Sequence, residues 1–344
     1  MGNFIAERNR ISNEKLRILV ANLPDFCVDY FIGIENNTTS LTRLNYAQDL
    51  NIFFDFLSSE IIFKPITEIS LTDINCIKAK DIELFLSYLS YYKKNGTTYQ
   101  NGERGKARKL ASIKSLFRYL YNRDCITQDV SSKVKTPKQH TKPIIYLESN
   151  EVSELLNQVE SPTFLSKTQI AFNKHTVTRD TAIISLFLGT GIRVSECVGL
   201  NVKDIDLDNN AFQITRKGGN QAILYFGNEI KEPLVAWLNE RKHWLNDLNE
   251  TALFLSLQKK RISVRAVEKL VKKYSETAYP LKKITPHKLR STYGTALYRE
   301  TGDIYIVAEV LGHKDVNTTK KHYASISENI RKSVAGKVKL RQHN

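Results

Sequence analysis

No two of the four cysteines (Cys27, Cys76, Cys125, Cys197) stand close together; their spacings are 49, 49 and 72 residues. That excludes the paired spacing of a zinc site or a redox dithiol and fits a chain kept in a reducing compartment. Cys197 follows Glu196 in a region of interest, but it reads as a small buried residue rather than a nucleophile. Long apolar runs are missing too. FLGTGI and LFLSYLSYY are short or interrupted, well under the ~18 residues of a membrane span. The first residues, MGNFIAERNR, alternate charge too early for a secretory signal, and Ala6 stands where a myristoylation pattern needs Ser or Thr. There is no internal repeat or low-complexity tract. These absences predict a cytoplasmic protein with no membrane partner, and 344 residues predict two domains with separate cores.

Charge is present in excess and unevenly placed. Residues 1–89 hold 8 Lys and Arg against 12 Asp and Glu, whereas residues 90–140 hold 12 against 3. A polyanion-binding face concentrates cations in this way, because each one that neutralises a phosphate releases counterions. A soluble basic protein without a nucleic-acid partner fits the charge alone equally well.

The first half reads as helical. Leu41, Leu44, Ala47, Leu50, Phe54 and Leu57 form one apolar stripe. A second helix is predicted over Ala79–Lys94 and a third over about Arg104–Asn122. In the third, Ala107, Leu110, Ile113, Phe117 and Leu120 face inward, leaving Arg104, Lys106, Arg108, Lys109 and Lys114 mainly on other faces. The loop NGTTYQNGERG is polar and Gly-rich. Val134–Tyr146, with two prolines and no apolar period, marks the domain boundary. The domains are therefore expected at 1–134 (with a short extension, 1–24) and 147–344, joined by a basic linker at 135–146. The second half is mixed. RDTAIISLFLGTGIRVSECVGL is an almost fully apolar helix broken at Gly189 and Gly191, then a short helix carrying Arg193. AFQITRKGGNQAILYF is a hairpin with Lys217 at the start of its turn. TPHKLRSTYGTALYRE begins with a Thr285 cap and Pro286, IYIVAEVLGH ends at a glycine, and a last helix begins near Asn317. The fold class is mainly α with a small antiparallel sheet.

The chemistry is carried by an ordered set: Arg193, Lys217, His287, Arg290, His313 and Tyr323. His287 and Arg290, three apart in the first turn of a helix, share a face with that helix's N–H groups, as a phosphate cradle would. An HxxR pair is common by chance, however. Arg193 lies between an apolar helix and Val198-Gly199-Leu200, with Glu196 placed to hold it. Lys217 suits proton donation to a leaving oxygen better than Arg216, since an arginine does not readily give up a proton. Tyr323, in the polar and basic KKHYAS, lacks the neighbours of a core tyrosine, and a phenol attacking phosphorus stores the bond as a phosphoester.

Through TGIRVSECVGL, the Lys217 hairpin, ITPHKLRSTYGTALY and LGHKDVNTTKKHY, the chain resembles the tyrosine recombinase (integrase) family, and within it the bacterial Xer-type enzymes, over about residues 25–335. The resemblance implies a helical core-binding (SAM-like) N-terminal domain and a mixed α/β catalytic domain, clamped around double-stranded DNA. It implies that Arg193 and Arg290 hold the scissile phosphate while His287 assists binding and proton transfer. Lys217 would protonate the 5′ oxygen, His313 donate a further hydrogen bond, Tyr323 become 3′-phosphotyrosyl, and Glu196 act as a supporting acid. No cofactor, metal or ATP is expected, nor any small-molecule substrate. Four active sites imply a homo- or hetero-tetramer assembled on DNA, and the basic tail SVAGKVKLRQHN would dock on a neighbouring subunit or stay a polar end. The chain departs from the family's habit at Ser291, where a second histidine often stands, and in the ten residues from His313 to Tyr323. Its short N-terminal extension implies no separate arm-binding domain and hence simple recombination sites. Two rival readings use the same residues: a type IB-like topoisomerase and a DNA-binding protein that has lost the chemistry.

Overall fold

The computed structural model describes residues 2–94, 96–138, 144–161, 173–216, 219–245, 250–313 and 315–316. The chain divides into two compact units, Gly2–Thr141 and Lys142–Asn344. Among the described residues no helix is long and apolar enough to cross a membrane.

The N-terminal unit is a helix bundle. It comprises α1 (Gly2–Val20), α2 (Phe26–Gly33), α3 (Ser40–Phe56), α4 (Leu71–Cys76), α5 (Ala79–Tyr88) and α6 (Glu103–Asn122). Helix α3 starts where Thr39 accepts a capping bond from the Thr42 N–H at 3.2 Å. Of its predicted stripe, Leu44, Ala47, Leu50, Phe54 and Leu57 are buried and Leu41, in the first turn, is exposed. The core is built largely from phenylalanines: Phe53 meets Phe54, Phe85 and Phe117 edge-on at 5.7, 5.1 and 6.4 Å. Each ring buried in full contributes about 1.5–3 kcal/mol. Helix α1 precedes the segments read from sequence. Its surface is mostly polar, and it packs on α3 with Leu16 in the core and Leu19 and Val20 against it.

The helix predicted over Ala79–Lys94 stops at Tyr88, and a hairpin follows: β1 (Tyr92–Lys94) paired antiparallel with β2 (Thr97–Tyr99). The segment read as a loop therefore supplies a strand. Aromatic side chains suit a pleated ribbon better than a helix turn, and here Tyr92 stacks on Tyr99 at 5.3 Å and meets the tilted ring of Tyr88 at 5.2 Å. The inward face of α6 is as predicted, with Ala107, Leu110, Ile113, Phe117 and Leu120 buried. Lys109 is a correction. Its side chain is buried, 3.7 Å from the buried carboxylate of Asp49, which also accepts from Arg108 at 2.5 Å and from the Ser112 hydroxyl at 3.0 Å.

The C-terminal unit is organised around α8 (Val177–Thr190), buried along most of its length. Helices α7 (Ser149–Glu160), α10 (Asn228–Trp244) and α12 (Pro286–Thr301) pack on it; α9 (Val194–Cys197), α11 (Val264–Ala278) and α13 (Ile304–Leu311) complete the helices used below. Helix α8 does not break at Gly189. It runs on to Thr190, and Gly189 serves close approach instead, since a Cβ there would lie 2.1 Å from Ile230 of α10. The break falls at Gly191 alone, at φ +61, against Tyr293 and Leu311. The predicted hairpin forms β4 (Ala211–Thr215) and β5 (Gln221–Tyr225), and β3 (Ile205–Asp206) adds a third antiparallel strand in the order β3-β4-β5.

Candidate active site

Helix ends leave their last carbonyls without an intrahelical partner, and α13 solves this with arginines from three other parts of the chain. Arg216 donates from Nη1 to the Glu309 oxygen at 3.3 Å and from Nη2 to the Val310 oxygen at 2.9 Å. Arg290 donates to the Leu311 oxygen. Arg193 donates to the Gly312 oxygen at 2.9 Å. Four consecutive carbonyls thus gather three guanidiniums at the negative end of a helix dipole, where cations are favoured.

Two of the three arginines, Arg290 and Arg193, are also held from a second side. Arg290, four residues after Pro286 in α12, is buried and donates from Nη1 to the Gly191 oxygen at 2.5 Å. A charge this deep persists only when hydrogen-bonded on several sides. Arg193 precedes α9. Its Nη1 meets Glu196 Oε1 at 2.8 Å while its backbone N–H donates to Glu196 Oε2 at 2.9 Å. The glutamate is therefore the support expected of it, and being 4% exposed at its side chain it is no solvated helix pair. Arg193 keeps 33% of its side chain exposed, so its guanidinium can meet a ligand. Arg216 precedes Lys217, which its sequence setting favours as the proton donor. Burial holds its guanidinium below the usual arginine range, with Glu196 pulling the other way and Arg193 adding to the fall.

His313 follows Gly312 directly and is half-buried. Its N–H donates to the Ala308 oxygen at 2.8 Å, which closes the helix end around the glycine. His287 lies exposed in the first turn of α12, three residues before Arg290. Ser291, where a second histidine often stands in the family, turns its hydroxyl onto the His287 carbonyl at 3.1 Å. Cys197 is fully buried and its thiol is pushed up by that burial, which removes it as a nucleophile. Lys217 and Tyr323 lie outside the described residues, as does the last helix expected near Asn317. Lys217 follows Arg216 in sequence. Tyr323 comes ten residues after His313, a length of chain that spans up to about 33–36 Å.

In the N-terminal unit the cations of residues 90–140 divide by environment. Lys93, Arg104 and Arg118 are exposed. Lys94 pairs with Asp55, and Lys114 donates to the Val134 carbonyl at 2.7 Å. The exposed ones are available to an anionic partner and the others brace the bundle.

Comparison with known proteins gives a consistent picture. The model of the Phage integrase family matches residues 145–329, and that of the Phage integrase N-terminal SAM-like domain matches residues 29–124. A tyrosine recombinase XerC from Caldanaerobacter subterraneus subsp. tengcongensis is 34% identical over 304 residues, covering 85% of this chain and 80% of its own. A tyrosine recombinase XerS from Streptococcus agalactiae serotype III is 33% identical over 334 residues, covering 89% and 93%. Two solved structures share the fold. XerH site-specific recombinase bound to a palindromic difH substrate has a TM-score of 0.64 at 19% identity, over 87% of this chain and 81% of that one. The Tn1549 transposon integrase in complex with transposon right end DNA has a TM-score of 0.63 at 19% identity, over 90% and 99%.

Proposed function

This chain belongs to the phage integrase family, and from that premise we propose that its six marked residues carry out the family's chemistry at one DNA phosphate. The protein is a site-specific tyrosine recombinase that cuts and rejoins DNA through a covalent 3′-phosphotyrosyl intermediate. The observation that carries the residue assignment is the gathering of Arg193 and Arg290, from distant parts of the chain, on successive carbonyls beside His313. Charges fixed in place before the reaction cost no reorganisation when the phosphorane forms.

In the cleavage step the Tyr323 oxygen forms a bond to phosphorus and the bond from phosphorus to O5′ breaks. The phenol proton passes to the His287 imidazole, and Lys217 gives a proton to O5′. Arg193, Arg290 and His313 stabilise the non-bridging oxygens. A free 5′ hydroxyl from a second duplex then reverses the step onto a new partner, so each phosphoester is exchanged for another. Domains 1–134 and 147–344, joined through 135–146, would both contact duplex DNA, in a tetramer assembled on two recombination sites. The proposed setting is the cytoplasm.

The test is covalent capture. A library of nicked duplexes with randomised arms is incubated with the protein, and adducts that survive detergent are sequenced. Recombinant joints between two copies of a captured site are the expected product. Relaxation of a supercoiled plasmid without joints would favour a topoisomerase instead, and binding without any adduct would leave only a DNA-binding role. Arg290→Ala is expected to slow adduct formation by about 10²–10³-fold, the loss seen when one charge-stabilising donor is removed. Single-turnover cleavage of the captured site measures it.

A further inference from the structure

We propose that Arg216 is a positioning residue for catalysis: it clamps the β4–β5 hairpin to the C-terminal end of α13 and so fixes the chain from which Lys217 reaches the leaving oxygen. The inference rests on the reading of Lys217 as the acid, and it concerns a residue to which the chemistry itself gives no role.

Three observations carry it. The first is the fork. A guanidinium reaching two successive main-chain oxygens, of Glu309 and Val310, fixes both distance and orientation, which a single lysine bond would not. The second is the backbone. The Arg216 N–H donates to the Asn220 oxygen at 2.8 Å, and its own oxygen accepts from the Gly219 N–H at 3.1 Å. These two bonds join the chain on either side of residues 217–218, so the side-chain clamp and the backbone tie share one residue. The third is the room made for the guanidinium. Gly312 sits at φ +63, and a Cβ there would lie 2.1 Å from Arg216 Nη1 and 2.4 Å from Cζ. The same glycine ends α13 and passes its carbonyl to Arg193.

An arginine bound for its charge alone would not need this arrangement. Arg216 is partly desolvated, its Nε is buried without a hydrogen-bond partner, and Arg193 stands close enough to repel it. Those costs are accepted where a rigid tie is gained. The tie runs from the hairpin to the one helix end that also holds Arg290 and Arg193, so the proton donor and the phosphate-holding cations share a common reference. A misplacement of about 1 Å at such a site can cost on the order of 10²-fold in rate.

The test separates a proton-delivery defect from a general one. Single-turnover cleavage is measured on the captured site with an ordinary phosphodiester, and again with sulfur replacing O5′ at the scissile linkage. A thiol has a pKa near 8.5 and leaves without needing a proton. Arg216→Ala is expected to cleave the oxygen substrate about 10²-fold more slowly and the sulfur substrate within a few-fold of the unaltered chain. Lys217→Ala should show the same pattern, and the Arg216→Ala, Lys217→Ala double variant should be no slower on oxygen than Lys217→Ala alone. If sulfur rescues Lys217→Ala but not Arg216→Ala, the positioning role is wrong and the acid assignment stands. If sulfur fails to rescue Lys217→Ala, the acid assignment itself is wrong. Should Arg216→Ala not fold, Arg216→Lys keeps the charge without the fork. The proposal expects the same sulfur-rescued defect from it, and cleavage of the oxygen substrate at the unaltered rate would overturn the clamp.

Discussion

Tyr323→Phe is expected to bind the captured site as the unaltered chain does and to form no covalent adduct at all. The substitution removes one oxygen and keeps the ring, so packing and charge are preserved while the atom that would bond to phosphorus is gone. Of the tyrosines near the α13 end, Tyr293 is half-buried and its phenol is pushed up by that burial, which makes it a poorer nucleophile. Tyr305 is 69% exposed at the opposite end of α13 from Gly312. Gel mobility of the DNA complex under native conditions checks binding, and detergent gels check the adduct. An adduct persisting in Tyr323→Phe would mean that the nucleophile has been misassigned, and mass spectrometry of the DNA-linked peptide would then name the residue.

The second large effect concerns stability. Asp49→Ala is expected to destabilise the N-terminal unit by about 3–5 kcal/mol, the cost of stranding the partner of a buried ion pair. Burial raises the Asp49 carboxyl against the pull of Arg108 and Lys109, and lowers the Lys109 ammonium against the pull of Asp49. Removing the carboxylate leaves Lys109 with Asn101 Oδ1 at 3.0 Å as its remaining acceptor. The double variant Asp49→Leu, Lys109→Leu should recover most of the loss, because two apolar side chains carry no desolvation penalty. The chain offers a convenient readout. Both tryptophans, Trp237 and Trp244, lie in the C-terminal unit. Urea unfolding followed by tryptophan emission should stay in place while the far-ultraviolet dichroism transition moves to lower denaturant. A tryptophan transition that moved equally, with no separate shift in dichroism, would refute a defect confined to the N-terminal unit.

How far the sequence could be read depended on what kind of signal each residue left. The stripe in α3, the inward face of α6 and the β4–β5 hairpin are periodic patterns, and each leaves a trace along a single segment. The turn at Gly191 was readable for the same local reason. The hairpin at Tyr92–Tyr99 was not, because the stack of Tyr92 on Tyr99 forms only across the two strands, and the run LFLSYLSYY fits a helix equally well until those rings are paired. Lys109 was misplaced because its burial depends on Asp49, sixty positions earlier in the chain. Helix α1 gave little apolar period to read. At the site, Arg193 and Arg290 were legible through their motifs, with Glu196 as the partner of the first. Arg216 left no such mark. Its role depends on the main-chain oxygens of residues 309 and 310, and main-chain atoms have no signature in a sequence.

The end of α13 offers its arginines peptide oxygens and not side chains, which separates the letters of that helix from its length. Tyr305, Ile306 and other outward residues can be exchanged by drift without disturbing the oxygens that Arg193, Arg216 and Arg290 reach. Adding or deleting a single residue is another matter. One residue advances a helix by 1.5 Å and turns it by about 100°, so all four oxygens would swing away together. A change in the letters of this helix's outer face is therefore tolerated where a change in its length is not.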